Sequence, residues 1–196
     1  MTFIYLVRHA ETEGMASKGI IKSDKFTLRG REQAKALAKR LAHIRFDTIY
    51  SSTQHRAHKT AKLIRAKHPK TPFVITDELK EIYAPIVGGP AKNGIPIERL
   101  SNDLARAERV YNRFFKLGKK HLLLVCHGNL IRYLIARSFR KNLRKVPLAT
   151  FPTSVSIVWV KKFGKDKESF VFCVNDTNHL PQNLAKGYDF PSIKLL

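Results

Sequence analysis

Two histidines in this chain each follow a short run of apolar residues. Arg8 and His9 follow the run at 3–7, and His127 follows the run at 122–126. Aliphatic runs of this length that end in polar residues are typical of buried strands. If the two strands are parallel neighbours, both imidazoles reach the carboxyl edge of one sheet, where open α/β sheets bind their ligands. The pattern therefore predicts an enzyme built around a pair of histidines.

A third strand brings another arginine toward the same edge. Residues 48–50 are predicted to form a short strand, and Arg56 follows them at the start of a helical pattern. Guanidinium groups bind phosphate oxygens through planar, charge-assisted hydrogen bonds, and free amides at a helix N-terminus add donors. Arg8 and Arg56 together with His9 and His127 therefore predict a pocket for a tetrahedral dianion.

Strand and helix patterns alternate along the chain, and this alternation is what positions the pocket. The predicted strands are 3–7, 48–50, 73–75, 122–126, 154–160 and 170–174. The predicted helices are 28–44, 57–64, 104–114 and 130–138, the third of them capped by Ser101, Asn102 and Asp103. Such alternation predicts an α/β fold, a three-layer α/β/α sandwich with a mostly parallel central sheet.

Two segments have no regular pattern. Residues 84–96 are rich in proline and glycine, which predicts a long irregular excursion of the kind that covers an active site. The tail from about 175 to 196 carries no helix or strand signal. A chain of 196 residues with 43% hydrophobic composition is expected to form a single domain, spanning 1–196, with this tail at its end.

The charge of the chain is strongly positive. It has 37 lysines and arginines against 15 aspartates and glutamates, a formal net charge of +22. Such a field attracts anionic substrates and polyanions. The densest basic block, 132–145, is open to two interpretations: a solvated helix face, or a docking surface for nucleic acid, anionic lipid or a phosphorylated protein.

Several segments resemble, in the same order, the motifs of the histidine phosphatase (phosphoglycerate-mutase-like) superfamily. The segments are 6–12 (LVRHAET), 28–34 (LRGREQA), 51–61 with its two serines and Arg56, and 125–129 (VCHGN). An isolated Arg-His dipeptide carries almost no information, whereas this ordered set covers most of the chain. Segments 126–133, 154–157 and 175–181 are similar to the phosphoglycerate mutase family member five type of protein serine/threonine phosphatase within that superfamily.

The resemblance implies a role for each residue of the pocket. It implies that His9 is phosphorylated during the reaction, and that Arg8, Arg56 and His127 hold the non-bridging phosphate oxygens. It also implies the same fold with one antiparallel strand, and no metal or other cofactor. The residues agree, because a neutral imidazole is an adequate nucleophile near neutral pH, and because no carboxylate cluster suits magnesium. Neighbouring arginines are expected to lower the pKa of His9.

The leaving oxygen of a phosphate ester needs a proton, so the site needs an acid with a raised pKa. Glu81 lies at the start of the irregular excursion and matches the acid position of the superfamily. Glu78 is the second candidate, although it is more typical of a turn, and Glu11 is the third.

The predicted location is the cytoplasm. No apolar stretch approaches the roughly 20 residues that span a bilayer, and the first strand begins at Thr2, which leaves no room for a leader segment. The resembling phosphatases are mitochondrial and membrane-anchored, and that location is not carried over to this chain. Cys126 and Cys173 both lie in apolar runs and are expected to be reduced core residues.

Three functions remain open from the sequence. The first is a metal-independent phosphomonoesterase that acts on a small phosphorylated molecule or on phosphoprotein. The second is a mutase-type phosphotransferase, which is disfavoured because Ala10 and Met15 replace residues usual in mutases and the long mutase insertions are missing. The third is a weakly active protein that binds phosphorylated ligands or nucleic acid.

Overall fold

The computed structural model of the protein describes residues 1–17, 20–83, 96–116, 118, 120–143, 146, 148–163 and 166–185. The strands are β1 (Thr2–Arg8), β2 (Thr48–Ser52), β3 (Phe73–Thr76), β4 (His121–Cys126), β5 (Val155–Phe163) and β6 (Asp166–Asp176). The helices are α1 (Glu13–Ala16), α2 (Leu28–Leu41), α3 (His55–Arg65), α4 (Ile97–Phe114), α5 (Gly128–Ser138) and α6 (Gln182–Ala185), and a 3₁₀ helix lies at Asp77–Leu79.

The strands form one mixed sheet in the order β3-β2-β4-β1-β5-β6. β3, β2, β4 and β1 are mutually parallel, whereas β5 runs antiparallel to both β1 and β6. Among the described strands, β5 is thus the one that opposes the others, and the predicted α/β architecture with one antiparallel strand is confirmed. Arg8 pairs with Cys126 at the ends of β1 and β4. His9 and His127 therefore leave the sheet side by side.

Helices cover both faces of the sheet. Tyr5 and Val7 of β1 belong to a buried cluster shared with α2 and α3, whereas Ile4 and Leu6 belong to a cluster shared with α4 and α5. Successive side chains of a strand point to opposite faces, so a strand covered on both sides must be apolar throughout. This is why the sequence of β1 shows a continuous apolar run rather than an alternating one.

A close approach between α2 and the loop after β1 fixes the chain that follows His9. A Cβ on Gly30 would lie 2.1 Å from the carbonyl oxygen of Glu11, so this approach requires a glycine. The buried Glu11 carboxylate accepts a hydrogen bond of 2.6 Å from the Thr27 hydroxyl and forms an ion pair with Arg29. Glu11 therefore stabilises the turn beside the pocket.

The predicted start of α4 is wrong. The helix begins at Ile97, and Asp103 lies inside it rather than at its cap. The Asp103 carboxylate accepts hydrogen bonds from the amide of Tyr83 at 2.8 Å and from Arg106 at 2.6 Å. A short carboxylate side chain is favoured at helix caps because it bonds free amides, and here the free amide belongs to another segment.

The described part of the tail, residues 175–185, contains more regular structure than its composition predicts, and residues 186–196 lie outside the described residues. β6 continues to Asp176, and the short helix α6 packs on α2, where Gln33 donates to the carbonyl of Leu184 at 3.0 Å. Arg40 of α2 forms an ion pair with Asp176. These contacts join residues that are far apart in the sequence, so local periodicity does not predict them.

Two further features of the sequence are the irregular excursion and the lack of a long apolar stretch. Of the predicted excursion at 84–96, residues 84–95 lie outside the described residues. No described helix combines the length and the apolar character needed to cross a membrane.

Candidate active site

His9 lies directly after β1 and is almost completely buried. Its Nδ1 is 2.8 Å from the carbonyl oxygen of Ala10, and its Nε2 is 3.1 Å from Nε of Arg56. A carbonyl only accepts and a guanidinium only donates. The proton of the neutral ring therefore sits on Nδ1, and the lone pair of Nε2 accepts the hydrogen bond from Arg56 Nε.

Arg56 is held at the start of α3 by two acceptors besides His9. Its Nη1 donates to both carboxylate oxygens of Asp24, at 2.9 and 3.1 Å, and its Nη2 donates to Oε1 of Gln54 at 3.4 Å. Thr60 ties this helix to the loop after His9, because its hydroxyl donates to the Arg56 carbonyl at 2.9 Å and accepts from the Ala10 amide at 3.0 Å. The guanidinium is thus preorganised beside the nucleophilic nitrogen.

His127 stands across from His9, at the end of β4 and at the N-cap of α5. The two ring centroids are 5.2 Å apart and the rings are inclined by 57°. His127 Nε2 lies 3.0 Å from the hydroxyl of Ser52, whereas Nδ1 is buried and has no hydrogen-bond partner among the described residues. A buried polar atom without a partner in a pocket is a candidate contact for a ligand.

Arg8, the last residue of β1, reaches the N-terminus of α5. Its guanidinium donates to the carbonyl of Thr150 and lies 3.9 Å from the Met15 sulfur. A Cβ on Gly128 would lie 3.4 Å from Arg8 Nε and 2.9 Å from the Thr150 hydroxyl. Glycine at the first position of α5 therefore avoids a close contact with the Thr150 hydroxyl, while Arg8 packs at ordinary contact distance.

Both histidines are neutral in this environment. Burial lowers the pKa of His9 well below its usual value, and the charges of Arg8 and Arg56 lower it further. Burial also lowers the pKa of His127, with added effects of His9 and the same two arginines. Burial disfavours the charged ring, and nearby cations repel it. The site thus combines an unprotonated imidazole nitrogen with two cations, an arrangement that favours binding of a phosphate dianion.

Glu81 is the carboxylate that the structure brings to this end of the sheet. Its oxygens accept hydrogen bonds from the amides of Asn129 at 3.4 Å and Leu130 at 3.2 Å, in the first turn of α5. Burial raises the pKa of Glu81, and the hydrogen bonds from these amides and from Ile82 act in the opposite direction. A carboxyl group with a raised pKa near neutral histidines can donate a proton.

The backbone around Glu81 is fixed from α4. Arg106 donates to the carbonyls of Glu78, Lys80 and Glu81 at 2.6–3.0 Å. The side chain of Glu78, the second predicted acid, is bound instead by Arg113 in an ion pair. Glu11, the third candidate, is committed to the turn described above.

Several supporting residues have no counterpart in the sequence predictions. Asp24 and Gln54 were not singled out at all, and no local pattern distinguishes them from surface residues. Ser52 and Thr60 lie within the segment that resembles the superfamily motif, which was the available signal, but no role followed from it.

The basic block at 132–145 is not one exposed face. Arg132 is buried, and Arg137 is hydrogen-bonded to Glu108. Arg140 and Lys141 are exposed, whereas residues 144 and 145 lie outside the described part of the chain. The predicted docking surface for polyanions remains a prediction.

Among the described residues, no group of three or more histidine, cysteine, aspartate or glutamate side chains could hold a metal ion. Cys126 and Cys173 are free thiols, and Cys126 is fully buried in the cluster under α4 and α5.

Comparison with known proteins agrees with this geometry. Residues 4–96 match the model of the histidine phosphatase superfamily (branch 1). The chain is 32% identical to the mitochondrial serine/threonine-protein phosphatase Pgam5 of Drosophila persimilis over 92% of its own length. The matched segment of the chain, residues 4–96, belongs to the histidine phosphatase superfamily. The resemblance seen in the motifs is confirmed.

The chain spans 65% of the length of that Pgam5, which is less than two thirds. It is 26% identical to a probable phosphatase of Schizosaccharomyces pombe, covering 90% of this chain and 94% of the relative. The solved structure of YhfR from Bacillus stearothermophilus has a TM-score of 0.74 at 25% identity, covering 91% of this chain and 99% of YhfR.

The low pKa values of the two histidines predict a pH dependence of both ring charge and stability. Below about pH 6.5 the unfolded chain binds protons that the folded rings do not. The free energy of unfolding should therefore decrease as pH falls from about 6.5 toward the lowered pKa values of His9 and His127. An NMR titration of the ring signals checks this prediction. A His9 ring that is half-protonated at pH 6.5 would contradict it.

Proposed function

We propose that this protein hydrolyses phosphomonoesters through a phosphohistidine on His9, without a metal. The observation that carries the proposal is the orientation of His9, whose Nδ1 is bonded to the Ala10 carbonyl and whose Nε2 faces Arg56. This arrangement leaves Nε2 unprotonated beside Arg56, so the nitrogen can attack once the Arg56 hydrogen bond passes from Nε2 to a phosphoryl oxygen. Cations and donors fixed at that point stabilise the charge of a transferring phosphoryl group.

The first half of the reaction forms the covalent intermediate. His9 Nε2 attacks phosphorus, and the bond from phosphorus to the ester oxygen breaks. That oxygen leaves with its electron pair and takes a proton from the Glu81 carboxyl group. The raised pKa of Glu81 favours the protonated form that this step needs.

The second half regenerates the enzyme. A water molecule attacks the phosphorus, the bond from His9 Nε2 to phosphorus breaks, and Glu81 takes the proton that the water loses. Inorganic phosphate and the starting protonation states of both residues result. His127 and the two arginines contact the phosphoryl oxygens throughout, so the charge is stabilised in both halves.

Phosphoprotein is the substrate class we favour. Its support is the similarity to Pgam5, a serine/threonine-protein phosphatase, at 32% identity. The net charge of +22 adds a long-range attraction for acidic phosphorylated chains.

A substrate panel tests the proposal. Peptides carrying phosphoserine or phosphothreonine, free phosphoserine and a sugar phosphate are compared by kcat/KM, each with and without EDTA. The peptides should be hydrolysed at least about tenfold more efficiently than free phosphoserine, and EDTA should change no rate. Preference for a small phosphate ester would reject the phosphoprotein assignment, and loss of activity in EDTA that a divalent ion restores would reject the metal-free mechanism.

The role of Glu81 predicts a dependence on the leaving group. Glu81→Gln should strongly slow an alkyl phosphate and spare nitrophenyl phosphate, whose leaving oxygen scarcely needs a proton. Glu78→Gln is the matched control, because Glu78 is bound by Arg113, and it should leave both rates near wild type. Selective loss on the alkyl substrate in Glu78→Gln alone would move the role to Glu78. If neither variant differs from wild type, Glu11→Gln is the next test.

A further inference from the structure

Ser52, the last residue of β2, lies behind His127 and away from solvent. It is completely buried, and its hydroxyl oxygen is 3.0 Å from His127 Nε2. The same oxygen accepts a hydrogen bond of 3.2 Å from the backbone amide of Gln54. These are the two hydrogen-bond partners of the Ser52 hydroxyl among the described residues.

The protons at this position can be counted. The Gln54 amide can only donate, so the Ser52 oxygen acts as acceptor there. The Ser52 hydroxyl proton then needs an acceptor, and His127 Nε2 is the group within reach. A buried hydroxyl proton left without an acceptor is costly. Nε2 must then be unprotonated, and a neutral ring carries its proton on Nδ1.

We propose that Ser52 is a positioning residue that holds His127 as the Nδ1–H tautomer, so that its buried Nδ1, which has no partner among the described residues, donates to an oxygen of the bound phosphate. The ligand in this inference is the phosphate of the proposed function, on which it rests. In the opposite tautomer, Nδ1 would direct a lone pair at a phosphate oxygen and repel it. Ser52 would thus fix which nitrogen of His127 is protonated, so that Nδ1 acts as a hydrogen-bond donor and not as an acceptor.

The surroundings support a neutral donor here. Burial and the charges of Arg56 and Arg8 keep the pKa of His127 low, so a second proton is disfavoured. A neutral imidazole has one donor nitrogen and one acceptor nitrogen, and the partner of one nitrogen sets the state of the other.

The tautomer can be read directly in the wild-type protein. Long-range ¹H–¹⁵N correlation NMR distinguishes a protonated Nδ1 from a protonated Nε2, and loss of one set of signals in His127→Asn assigns the ring. We expect a neutral ring protonated at Nδ1. A ring protonated at Nε2 in the wild type would overturn the proposal, whatever happens to any variant.

Variants test whether Ser52 sets that state. In Ser52→Ala the signal should shift toward the Nε2–H tautomer, inorganic phosphate should bind about tenfold more weakly or worse, and kcat/KM should fall by roughly 10- to 100-fold. Ser52→Thr keeps a hydroxyl and should restore much of each property. Ser51→Ala is the control, since Ser51 is equally buried and its hydroxyl donates to the Ser52 carbonyl at 2.9 Å rather than to His127.

The outcomes separate this inference from the proposed function. If Ser52→Ala keeps the Nδ1–H tautomer, or if its phosphate affinity matches Ser51→Ala, the inference is wrong even in an active phosphatase. If no variant or wild-type protein forms phosphohistidine, the proposed function fails, whereas the NMR spectrum and phosphate titration still decide the role of Ser52.

Discussion

Replacement of His9 by alanine is expected to abolish turnover. In the proposed mechanism His9 supplies the attacking atom, and removal of a nucleophile from a covalent enzyme typically lowers kcat by roughly a millionfold. The wild-type enzyme, quenched in alkali during turnover of a ³²P-labelled substrate, should carry label on His9, because phosphohistidine is labile in acid. The measurement is steady-state kinetics combined with peptide mapping of the label.

The control for this prediction is His43→Ala, because His43 is exposed and lies outside the pocket. Its activity and its labelling should match wild type. Near-normal activity in His9→Ala, or label on another residue, would show that the covalent mechanism is wrong. The burial of His9 makes folding a separate question, so circular dichroism of the variant accompanies the assay.

Loss of Arg56 should have the second largest effect. A preorganised donor to a developing charge is typically worth roughly 2.7–4 kcal/mol, so Arg56→Ala should lower kcat by about a hundred- to a thousandfold. Arg56→Lys keeps the charge but not the planar fork, and should recover only part of this loss. Arg31→Ala, which removes an exposed arginine of α2, should stay within about twofold of wild type. A loss below threefold in Arg56→Ala would remove Arg56 from the pocket.

Asp24 complicates the interpretation of that variant in a testable way. Its carboxylate bonds Nη1 of Arg56, so Arg56→Ala also leaves an uncompensated anion near the phosphate. The double variant Asp24→Asn/Arg56→Ala removes that anion. Activity above that of Arg56→Ala alone would measure the repulsion, and equal activity would assign the whole loss to the missing guanidinium.

The arginines around the pocket have bonding partners, which the composition alone does not reveal. A net charge of +22 suggests a surface dominated by cations, yet the arginines nearest the chemistry and its scaffold are individually held: Arg56 by Asp24, Arg106 by Asp103 and backbone carbonyls, Arg29 by Glu11. Arginines fixed by such contacts lose little freedom when they bind an oxyanion.

The sequence by itself determined the class of fold and four residues of the pocket. Buried parallel strands need continuous apolar runs, and their ends need polar residues, so Arg8, His9 and His127 stand out locally in the chain. Arg56 stands out through its offset from the second strand. Parallel pairing of β1 and β4 then brings the histidines together, which follows from the fold class and requires no detailed knowledge of packing.

Only the tertiary structure decided how these residues are supported. Asp24 meets Arg56 across 32 positions of the chain, Glu81 meets Leu130 across 49, and Ser52 meets His127 across 75. Asp103, which was predicted to cap α4, lies inside that helix and accepts a hydrogen bond from the Tyr83 amide. Periodicity and capping patterns report on neighbours within a few residues, whereas hydrogen bonds of polar side chains go to whichever buried donor or acceptor the packing brings near. The protonation states of His127 and Glu81 depend on those partners and on burial, which exist only in the folded chain.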